Sequence, residues 1–325
     1  MNGNTLLAEE NTADMSFKSI STLGVKKIFL HVQNSELKLN QNSDEKHKIK
    51  IFSNFSSLLN KVTVKQLKQG TSLHIWILKN NFFEKKNNIN ESKHIGKVLI
   101  QMPAIPVVLT QNLGSIFVES WKSSLTINKW SGNINVKNTQ SNLNIFSQKG
   151  DVNIDNYKGK LKIESYNNKL SVRKSSGVFR FNIFSGGVVF NKLKANIELT
   201  TYNASLAASD IEGFLSAKAK NSYIKLKNIK STTKININKG EVKVNKVGPA
   251  SLKISSLGRA SINVNLDGRS AKVRLLSYRF KTKAPSSLKR KSLGKGEQVT
   301  GILSGTSPKA FVVLKSREGR ITLNP

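Results

Sequence analysis

A nine-residue repeat in the middle of the chain constrains the fold more than any other feature of the sequence. Fourteen units follow one another from Ser124 to Pro249, and their second and fourth positions are apolar in 27 of 28 cases. The ninth position is always Gly, Ser, Asn, Ala or Pro. Alternation over four or five residues predicts short strands with one buried face, and a small residue after each strand predicts a tight turn.

The corners between the strands alternate, so the true repeat consists of two such units. Alternate units place an aliphatic residue in the corner, as at Leu193 and Ile211, whereas the units between them carry residues such as Tyr202 or Lys220. An antiparallel array of hairpins could share the nine-residue spacing but would not explain this alternation. We therefore predict an all-β fold, a right-handed parallel β-solenoid with about 18 residues per coil. The predicted inward residues are Val152, Ile154, Leu161 and Ile163, and the predicted outward residues are Asn153 and Lys162.

The repeat divides the chain into four predicted segments. We expect a flexible N-terminal tail over residues 1–17, an irregular β region that caps one end over residues 18–122, and the solenoid over residues 123–275. Residues 276–325 are predicted to form a basic loop followed by a closing hairpin in "AFVVLKSREGRITL". Both ends need such protection, because open strand edges pair with other chains. After Pro249 the spacing slips by one residue and then slips again, while continuing as far as Ala271 and Val273.

The charge of the chain is strongly positive and uneven. Lysine and arginine number 53 against 19 acidic residues, which gives a formal net charge of +34. From Phe214 to the end there are 25 basic and 4 acidic residues, so +21 of this charge lies in the last third. A charge of this size informs about partners rather than about fold, and it favours a polyanionic neighbour. A lysine-rich composition and a solubilising surface stay open as alternative origins of the charge.

The candidate polyanion-binding residues form two groups. Lys225 and Lys243 are 18 positions apart and should stack on neighbouring coils with Lys227 beside them, a ladder of like charges that an anion would stabilise. A second group follows in the predicted basic loop with no acidic residue between its members. These residues are Arg279, Lys281, Lys283, Lys289, Arg290, Lys291 and Lys295. All ten positions are expected to be exposed.

The sequence supplies no clear catalytic or metal-binding constellation. There is no cysteine, and there is no glycine pattern of the kind that binds phosphate or dinucleotides. Asp151, Asp155 and Glu164 could provide the two carboxylates of a glycosidase, but exposed strand positions also explain them. The histidines lack the spacing of metal ligands; they are His31, His47, His74 and His94. We predict no enzyme activity, no cofactor and no metal site.

Three further patterns bear on function. Trp121 and Trp130 are nine residues apart in the first coil, where they could form a platform for a sugar or cover the end of the stack. No apolar run is long enough to predict a transmembrane helix. The start of the sequence, "MNGNTLLAEENTADMS", shows no signal peptide.

Several stretches resemble a known family. The alternation "VKKIFLHVQNSELKL", the segment "VLIQMPA" and the Gly-Asp start of the unit at Gly150 are similar to those of the bacterial adhesin-like β-strand-repeat family, which includes the head domain of candidate autotransporter adhesins. The resemblance covers most of residues 18–325, although the units at Asn196, Phe214 and Thr232 depart from the Gly-Asp start. It implies a β-helical, non-enzymatic and often extracytoplasmic protein, and it supplies no catalytic residues.

Together these features predict a non-catalytic, adhesin-like protein that binds an anionic envelope polymer, such as lipopolysaccharide or an acidic glycan, through its lysine-rich C-terminal third. Nucleic acid is a second polyanion that the charge would accommodate, although aromatic residues for base stacking are sparse there. The alternatives are a self-assembling scaffold of solenoids stacked end to end and, least favoured, a β-helical carbohydrate-active enzyme. The resemblance implies a periplasmic or cell-surface location, with a cytoplasmic location as the alternative. The sequence gives no indication of the oligomeric state.

Overall fold

The computed structural model describes residues 16–41, 47–53, 62–79, 96–248, 250–304, 308 and 310–325. Within these ranges the chain is all-β, with 21 strands joined in one hydrogen-bonded sheet and no helix. The described part accordingly has no helix that could cross a membrane. Residues 1–15, which make up most of the predicted N-terminal tail, lie outside the described ranges.

The strands come from three parts of the chain. The strands before the repeat are β1 Ser16–Ser21, β2 Lys27–Val32, β3 Ser35–Gln41, β4 Lys48–Ser53, β5 Val62–Gln69, β6 Ser72–Lys79, β7 Gly96–Met102, β8 Val107–Gln111 and β9 Ile116–Glu119. The strands of the repeat are β10 Leu125–Ser131, β11 Ile134–Lys149, β12 Val152–Arg173, β13 Ser176–Ile229 and β14 Thr232–Val247. The strands after it are β15 Ser251–Ser256, β16 Ala260–Asn265, β17 Ala271–Ser277, β18 Lys289–Leu293, β19 Gly296–Leu303, β20 Ala310–Ser316 and β21 Ile321–Asn324.

Residues of the repeat pair in parallel with residues 18 positions further along the chain. Ile134 pairs with Val152. The same offset joins Val107 with Leu125 at the start of this stretch and Ile229 with Val247 at its end. The predicted parallel pairing of residues n and n + 18 is therefore confirmed, and these strands are not an antiparallel array of hairpins.

Each repeat contributes one segment to each of two series of neighbouring strands, which we call row A and row B. Row A contains β10, residues 143–149, residues 161–167, residues 233–237 and β15. Row B contains β9, residues 134–137, residues 152–155, residues 242–245 and β16. The buried side chains of both rows belong to one hydrophobic core, so the exposed side chains of the two rows face away from each other.

The alternation of buried and exposed residues follows the prediction. The four expected inward residues are at most 2% exposed; they are Val152, Ile154, Leu161 and Ile163. Asn153 and Lys162 are exposed. Leu193 and Ile211 are fully buried, so the aliphatic corners also pack into the core. Removal of this continuous apolar surface from water is the main favourable contribution to folding.

One corner of each repeat has a residue in the left-handed backbone conformation. These residues recur every 18 positions with φ between 47° and 65°; they are Ser120, Asn138, Asn156, Lys174, Lys192, Asp210, Asn228 and Lys246. Asparagine tolerates this conformation well, and Asn156 Nδ2 also donates a 2.8 Å hydrogen bond to Asn138 Oδ1. At another corner Gly150 has a φ of 110°, and a Cβ atom there would overlap the carbonyl oxygen of Gly132. Successive repeats thus approach each other closely at this corner.

The strands before the repeat extend both rows in parallel, so this region is more regular than the sequence indicated. β8 and β9 lie next to the repeat, β2 and β3 pair with them, and β6 and β7 pair in turn with β2 and β3. Antiparallel strands follow, β5 on β6 in row A, and β4 on β7 with β1 on β4 in row B. The order of these strands in space therefore differs from their order in the chain.

Past the repeat the register shifts by one residue twice, as the sequence indicated. Thr233 pairs with Leu252, one position beyond the partner that the repeat would give it, and Gly240 pairs with Ala260, two positions beyond. The expected continuation to Ala271 is wrong, because β17 does not pair with β15. Another strand, β20, lies between them and pairs in parallel with both.

The predicted closing hairpin is wrong as well. β20 belongs to row A, whereas β21 pairs in parallel with β16 in row B, so the two strands do not pair with each other. The predicted basic loop instead contains the first strand of a hairpin. β18 pairs with β19 in an antiparallel manner, and β19 pairs with β17, which places β18 at the end of row A.

Candidate anion-binding surface

All ten predicted anion-binding residues are exposed, as expected, but the fold separates them. Lys225, Lys227 and Lys243 lie on row B. Lys289 and Lys291 lie on β18 at the far end of row A. Lys283 pairs in parallel with Thr322 of β21, which places it at the end of row B, in the same line of cross-strand partners as Lys243. The other predicted residues lie in the segments before and after β18; they are Arg279, Lys281 and Lys295. Because the exposed sides of the rows face away from each other, Lys289 and Lys291 do not share one flat surface with the predicted residues on row B.

Lys225 and Lys243 are direct cross-strand partners, as their spacing predicted. Nζ of Lys243 lies 3.2 Å from Oε2 of Glu241 and 5.4 Å from the centre of the Tyr223 ring. The hydrogen bond with Glu241, followed by the one with Tyr223, raises the pKa of Lys243. The charge of Lys243 is therefore partly neutralised, whereas the described residues include no acidic partner for Lys225.

Arg290 has a structural role that the sequence did not reveal. Its Nη1 atom donates to both carboxylate oxygens of Glu297, at 2.9 and 3.1 Å, and its Nη2 atom donates to the carbonyl oxygen of Ala284 at 2.8 Å. Glu297 is only 4% exposed. Arg290 is exposed, yet neutralising it would leave a buried carboxylate without its counter-charge, so we expect the fold to depend on this residue.

The surroundings of Glu297 keep its side chain ionised. Burial, the largest influence, acts to raise its pKa. Hydrogen bonds from the Thr282 hydroxyl and backbone N–H, together with the bond and charge of Arg290, outweigh burial and hold the pKa of Glu297 below its usual value. This network attaches the segment before β18 to β19.

Lys289 and Lys291 belong to a larger cationic surface on row A. Cross-strand partners in a sheet point to the same side, so a line of partners can be followed from strand to strand. One line runs through Lys234, Lys253, Val313, Arg274, Thr300 and Lys289. A second line runs through Lys218, Asn236, Ser255, Lys315, Leu276, Gln298 and Lys291.

Eight exposed cations form this surface, which we call the cationic face. They are Lys218, Lys234, Lys253, Lys272, Arg274, Lys289, Lys291 and Lys315. At about 4.8 Å between neighbouring strands, the line from Lys234 to Lys289 is about 25 Å long. Only Lys289 and Lys291 of this set were predicted from the sequence. The spacing of the repeat could have added Lys234, but the position of Arg274 depends on the insertion of β20, which the repeat does not reveal.

The acidic residues of the C-terminal third lie away from the cationic face. Glu241 contacts Lys243, and Glu297 contacts Arg290. The other two contact cations at corners, Asp267 with Lys246 at 3.6 Å and Glu318 with Arg259 at 3.8 Å. Within the described part of the chain, none of the eight cations of the face is in a salt bridge, so their charges add to one another.

The candidate catalytic carboxylates do not converge. Glu164 lies on row A and contacts Lys162 at 2.8 Å, whereas Asp155 lies on row B at the end of another strand segment. Asp151 precedes β12, and its backbone N–H donates to Asn133 Oδ1. Because row A and row B face in opposite directions, these side chains do not form the opposed pair that glycoside hydrolysis needs.

Two of the four histidines stack on aromatic rings. His31 lies 5.6 Å from Trp76, and His74 lies 4.6 Å from Phe29, measured between ring centres. Burial, and secondarily the charge of His74, lowers the pKa of His31. His94 lies outside the described residues. Among the described residues, no group of three or more histidines and carboxylates could hold a metal ion.

The two tryptophans do not form a shared platform. Trp121 is fully buried, whereas Trp130 is 55% exposed. A sugar could therefore reach only the second ring. Trp121 also does not cover the end of the stack, because β8 and β2 extend row A beyond β10 on that side.

Comparison with known proteins finds no matching family model and no matching curated protein. A candidate cell adhesion protein from Clostridium sporogenes is 11% identical, with a TM-score of 0.24 and coverage of 95% of this chain and 98% of that chain. A candidate adhesin from Bacteroides fragilis is 17% identical, with a TM-score of 0.30 and coverage of 96% of this chain and 97% of that chain. A candidate lipid-binding protein from Parabacteroides distasonis is 10% identical, with a TM-score of 0.34 and coverage of 96% of this chain and 98% of that chain. Scores this low assign neither fold nor function to the chain.

Proposed function

We propose that the chain is a non-catalytic, right-handed parallel β-solenoid that binds a linear anionic polymer of the cell envelope on its cationic face. Lys225 and Lys227 on row B form a second contact surface for the same polymer. A periplasmic or cell-surface location belongs to this proposal and rests on the family resemblance. The single observation that carries the binding function is the alignment of seven exposed cations along two lines of cross-strand partners, with Lys272 beside them and no acidic partner for any of the eight among the described residues.

Electrostatic repulsion among these cations favours a bound anionic ligand. Like charges on opposed strands repel each other, as Lys234 and Lys253 do on neighbouring strands of row A. Salt screens this repulsion only in part, and an anionic chain laid across the strands would replace it with attraction. The surface is broad and lies on a sheet, which suits a polymer held by many weak contacts better than a small molecule enclosed in a cavity.

The ends of row A argue against the alternative of a scaffold that grows end to end. All five residues of β18 are exposed, and Lys289 and Lys291 lie on this strand. At the other end, Lys65 and Lys68 of β5 are exposed. Lysine on a terminal strand opposes pairing with another chain, because the two edges would bring like charges together. The separation of Glu164 from Asp155 supports the non-catalytic part of the proposal.

Binding across a salt series tests the proposal. The purified chain is titrated with polygalacturonate, inorganic polyphosphate and oligothymidylate between about 50 and 300 mM salt, where counterion release makes affinity fall as salt rises. We expect polygalacturonate to bind. The triple variant Lys234→Gln, Lys253→Gln, Arg274→Gln should bind about tenfold more weakly at low salt, with a salt slope smaller by about 2.

A matched control lies earlier in the same line of cross-strand partners. Lys162 and Arg180 are paired with Glu164 and Glu198, at 2.8 and 3.1 Å. The quadruple variant Lys162→Gln, Glu164→Gln, Arg180→Gln, Glu198→Gln should bind as the wild type does, because it removes both members of each ion pair and leaves the local net charge unchanged. Absence of binding at low salt, or an equal loss in both variants, would contradict the proposal. Tighter binding of oligothymidylate than of polygalacturonate would change the ligand class to nucleic acid.

A further inference from the structure

A groove lies at the corner where the chain passes from row A to row B near residue 222. Its volume is about 370 Å³, at the lower end of the range that small ligands occupy. Three successive repeats line it, through Asn203 and Ser205, Asn221 and Tyr223, and Lys239 and Glu241. Lys218 precedes the groove on row A, and Lys225 follows it on row B. The groove therefore lies between the cationic face on row A and the lysines of row B.

One wall of the groove is an aromatic ring with a free face. Tyr223 is 41% exposed. Lys243, which belongs to the following repeat, lies over one face of this ring. The preceding repeat has the small side chain of Ser205 at the equivalent position, so the opposite face of the ring is open to the groove. An open aromatic face beside polar groups suits the apolar C–H surface of a sugar ring.

The other walls carry hydrogen-bonding groups. Asn221 Nδ2 donates to Asn203 Oδ1 at 3.0 Å. This bond leaves the amide nitrogen of Asn203 and the amide oxygen of Asn221 to bond a ligand, since neither has a partner within the described structure. Lys239 is the cross-strand partner of Asn221, is exposed, and adds a positive charge at the same edge. Donor, acceptor and cation thus lie at the equivalent position of three successive repeats.

We propose that this groove holds one uronic-acid residue of an acidic glycan. The sugar ring stacks on the open face of Tyr223, the amides of Asn203 and Asn221 bond its hydroxyl groups, and Lys239 binds its carboxylate. This inference rests on the proposed function and sharpens it, because a sugar with a carboxylate fits the groove whereas a bare phosphate chain would use only the charges. The polymer then continues onto the cationic face.

The test separates sugar recognition from charge. Trigalacturonate, maltotriose and inorganic polyphosphate are titrated by calorimetry against three variants of the full chain. Tyr223→Ala removes the platform, and Ser205→Tyr fills the groove with a second ring stacked on Tyr223. Such stacks occur in this fold, since Tyr166, Phe184 and Tyr202 occupy the same position in successive repeats with ring centres 4.5 and 5.1 Å apart. Tyr166→Ala removes a comparable exposed ring away from the groove and is the control.

We expect Tyr223→Ala and Ser205→Tyr to weaken trigalacturonate binding about tenfold, which corresponds to about 1.4 kcal/mol. Polyphosphate binding should change less than about twofold in both, because the cationic face is intact. Tyr166→Ala should change neither. If polyphosphate binds but both groove variants bind trigalacturonate as the wild type does, the groove inference is overturned and the polyanion function stands.

The remaining outcomes are equally decisive. Equal loss of trigalacturonate and polyphosphate binding in Tyr223→Ala would overturn sugar recognition, as would maltotriose binding as tightly as trigalacturonate. If the wild type binds neither anionic probe, the inference and the proposed function both fail. Should Ser205→Tyr disturb the circular dichroism spectrum, Tyr223→Ala alone decides the question, because it only shortens an exposed side chain.

Discussion

Arg290 and Glu297 form a salt bridge in which Nη1 of the arginine contacts both oxygens of a carboxylate that is almost completely buried. The neighbouring cations Lys289 and Lys291 have no such partner in the described structure and point to the solvent. Three consecutive positive charges therefore divide into one that holds the fold together and two that are available to a ligand.

The first prediction follows from this division. Arg290→Leu should lower the free energy of unfolding by about 2–3 kcal/mol, less than the full loss expected for a buried pair because the arginine itself is partly exposed. The double variant Lys289→Ala, Lys291→Ala should change it by less than about 0.5 kcal/mol. Urea denaturation at neutral pH measures both values. Equal stability of the two variants would show that the salt bridge is not structural.

The second prediction concerns Lys129, which is 3% exposed and donates to Gln111 Oε1 at 2.9 Å. Burial lowers the pKa of Lys129 from 10.5 to about 7. Between these two values the unfolded chain holds a proton that the folded chain releases, so the stability of the wild type should rise with pH across this window. Lys129→Met removes this dependence. The variant should be more stable than the wild type by a few kcal/mol at pH 7, with the difference shrinking towards pH 10.5.

Denaturation of both proteins at several pH values measures this difference. Because every other lysine titrates in both proteins, their contributions cancel in the comparison. A constant difference between the wild type and Lys129→Met at all pH values would contradict the prediction.

The third prediction concerns the close approach of the corners. Gly150→Ala should lower the free energy of unfolding by about 2–4 kcal/mol, because the new Cβ atom would overlap the carbonyl oxygen of Gly132 and because φ is 110°. Gly268→Ala is the matched control. Its φ is 71°, and no atom lies within 4 Å of the added Cβ, so the variant should lose only about 1 kcal/mol. Thermal or urea unfolding that ranks the two variants in the reverse order would contradict the steric explanation.

The fourth prediction compares the two lysines of the row B ladder. Lys225→Gln should weaken binding of polygalacturonate more than the double variant Glu241→Gln, Lys243→Gln, because the double variant removes both members of an ion pair and leaves the local net charge unchanged. Each variant should keep the wild-type stability within about 0.5 kcal/mol. Affinities at low salt measure the difference. If the double variant has the larger effect, Lys243 and Glu241 do not act as a neutral pair on this surface.

The sequence was sufficient to predict the repeated part of the fold, because the apolar residues recur with the same 18-residue period as the pairing of the strands. The pairing of Lys225 with Lys243 and the burial of Val152 and Ile154 follow directly from the spacing of the repeat. Each residue there has its neighbours at a fixed distance along the chain, so local pattern and tertiary contact agree.

The ends were harder to predict because their neighbours are distant and out of order. Arg274 reaches the line of Lys253 only through Val313, a partner that no local pattern connects to either. From the sequence, Arg290 could not be distinguished from the neighbouring exposed cations Lys289 and Lys291. Its partner Glu297 is buried by the hairpin of β18 and β19, and the sequence had suggested a loop in this segment. The cationic face was therefore only partly visible as a run of lysines near residue 290.

The position of β20 between β15 and β17 has a consequence for how the chain matures. Both flanking strands are made first, yet neither has its neighbour on that side until residues 310–316 have left the ribosome. Until then the nascent protein exposes two unsatisfied strand edges, the kind of surface that chaperones bind and that aggregates form on. Row A is therefore completed near β17 only when β20, which is synthesised after both of its neighbours, is inserted between them.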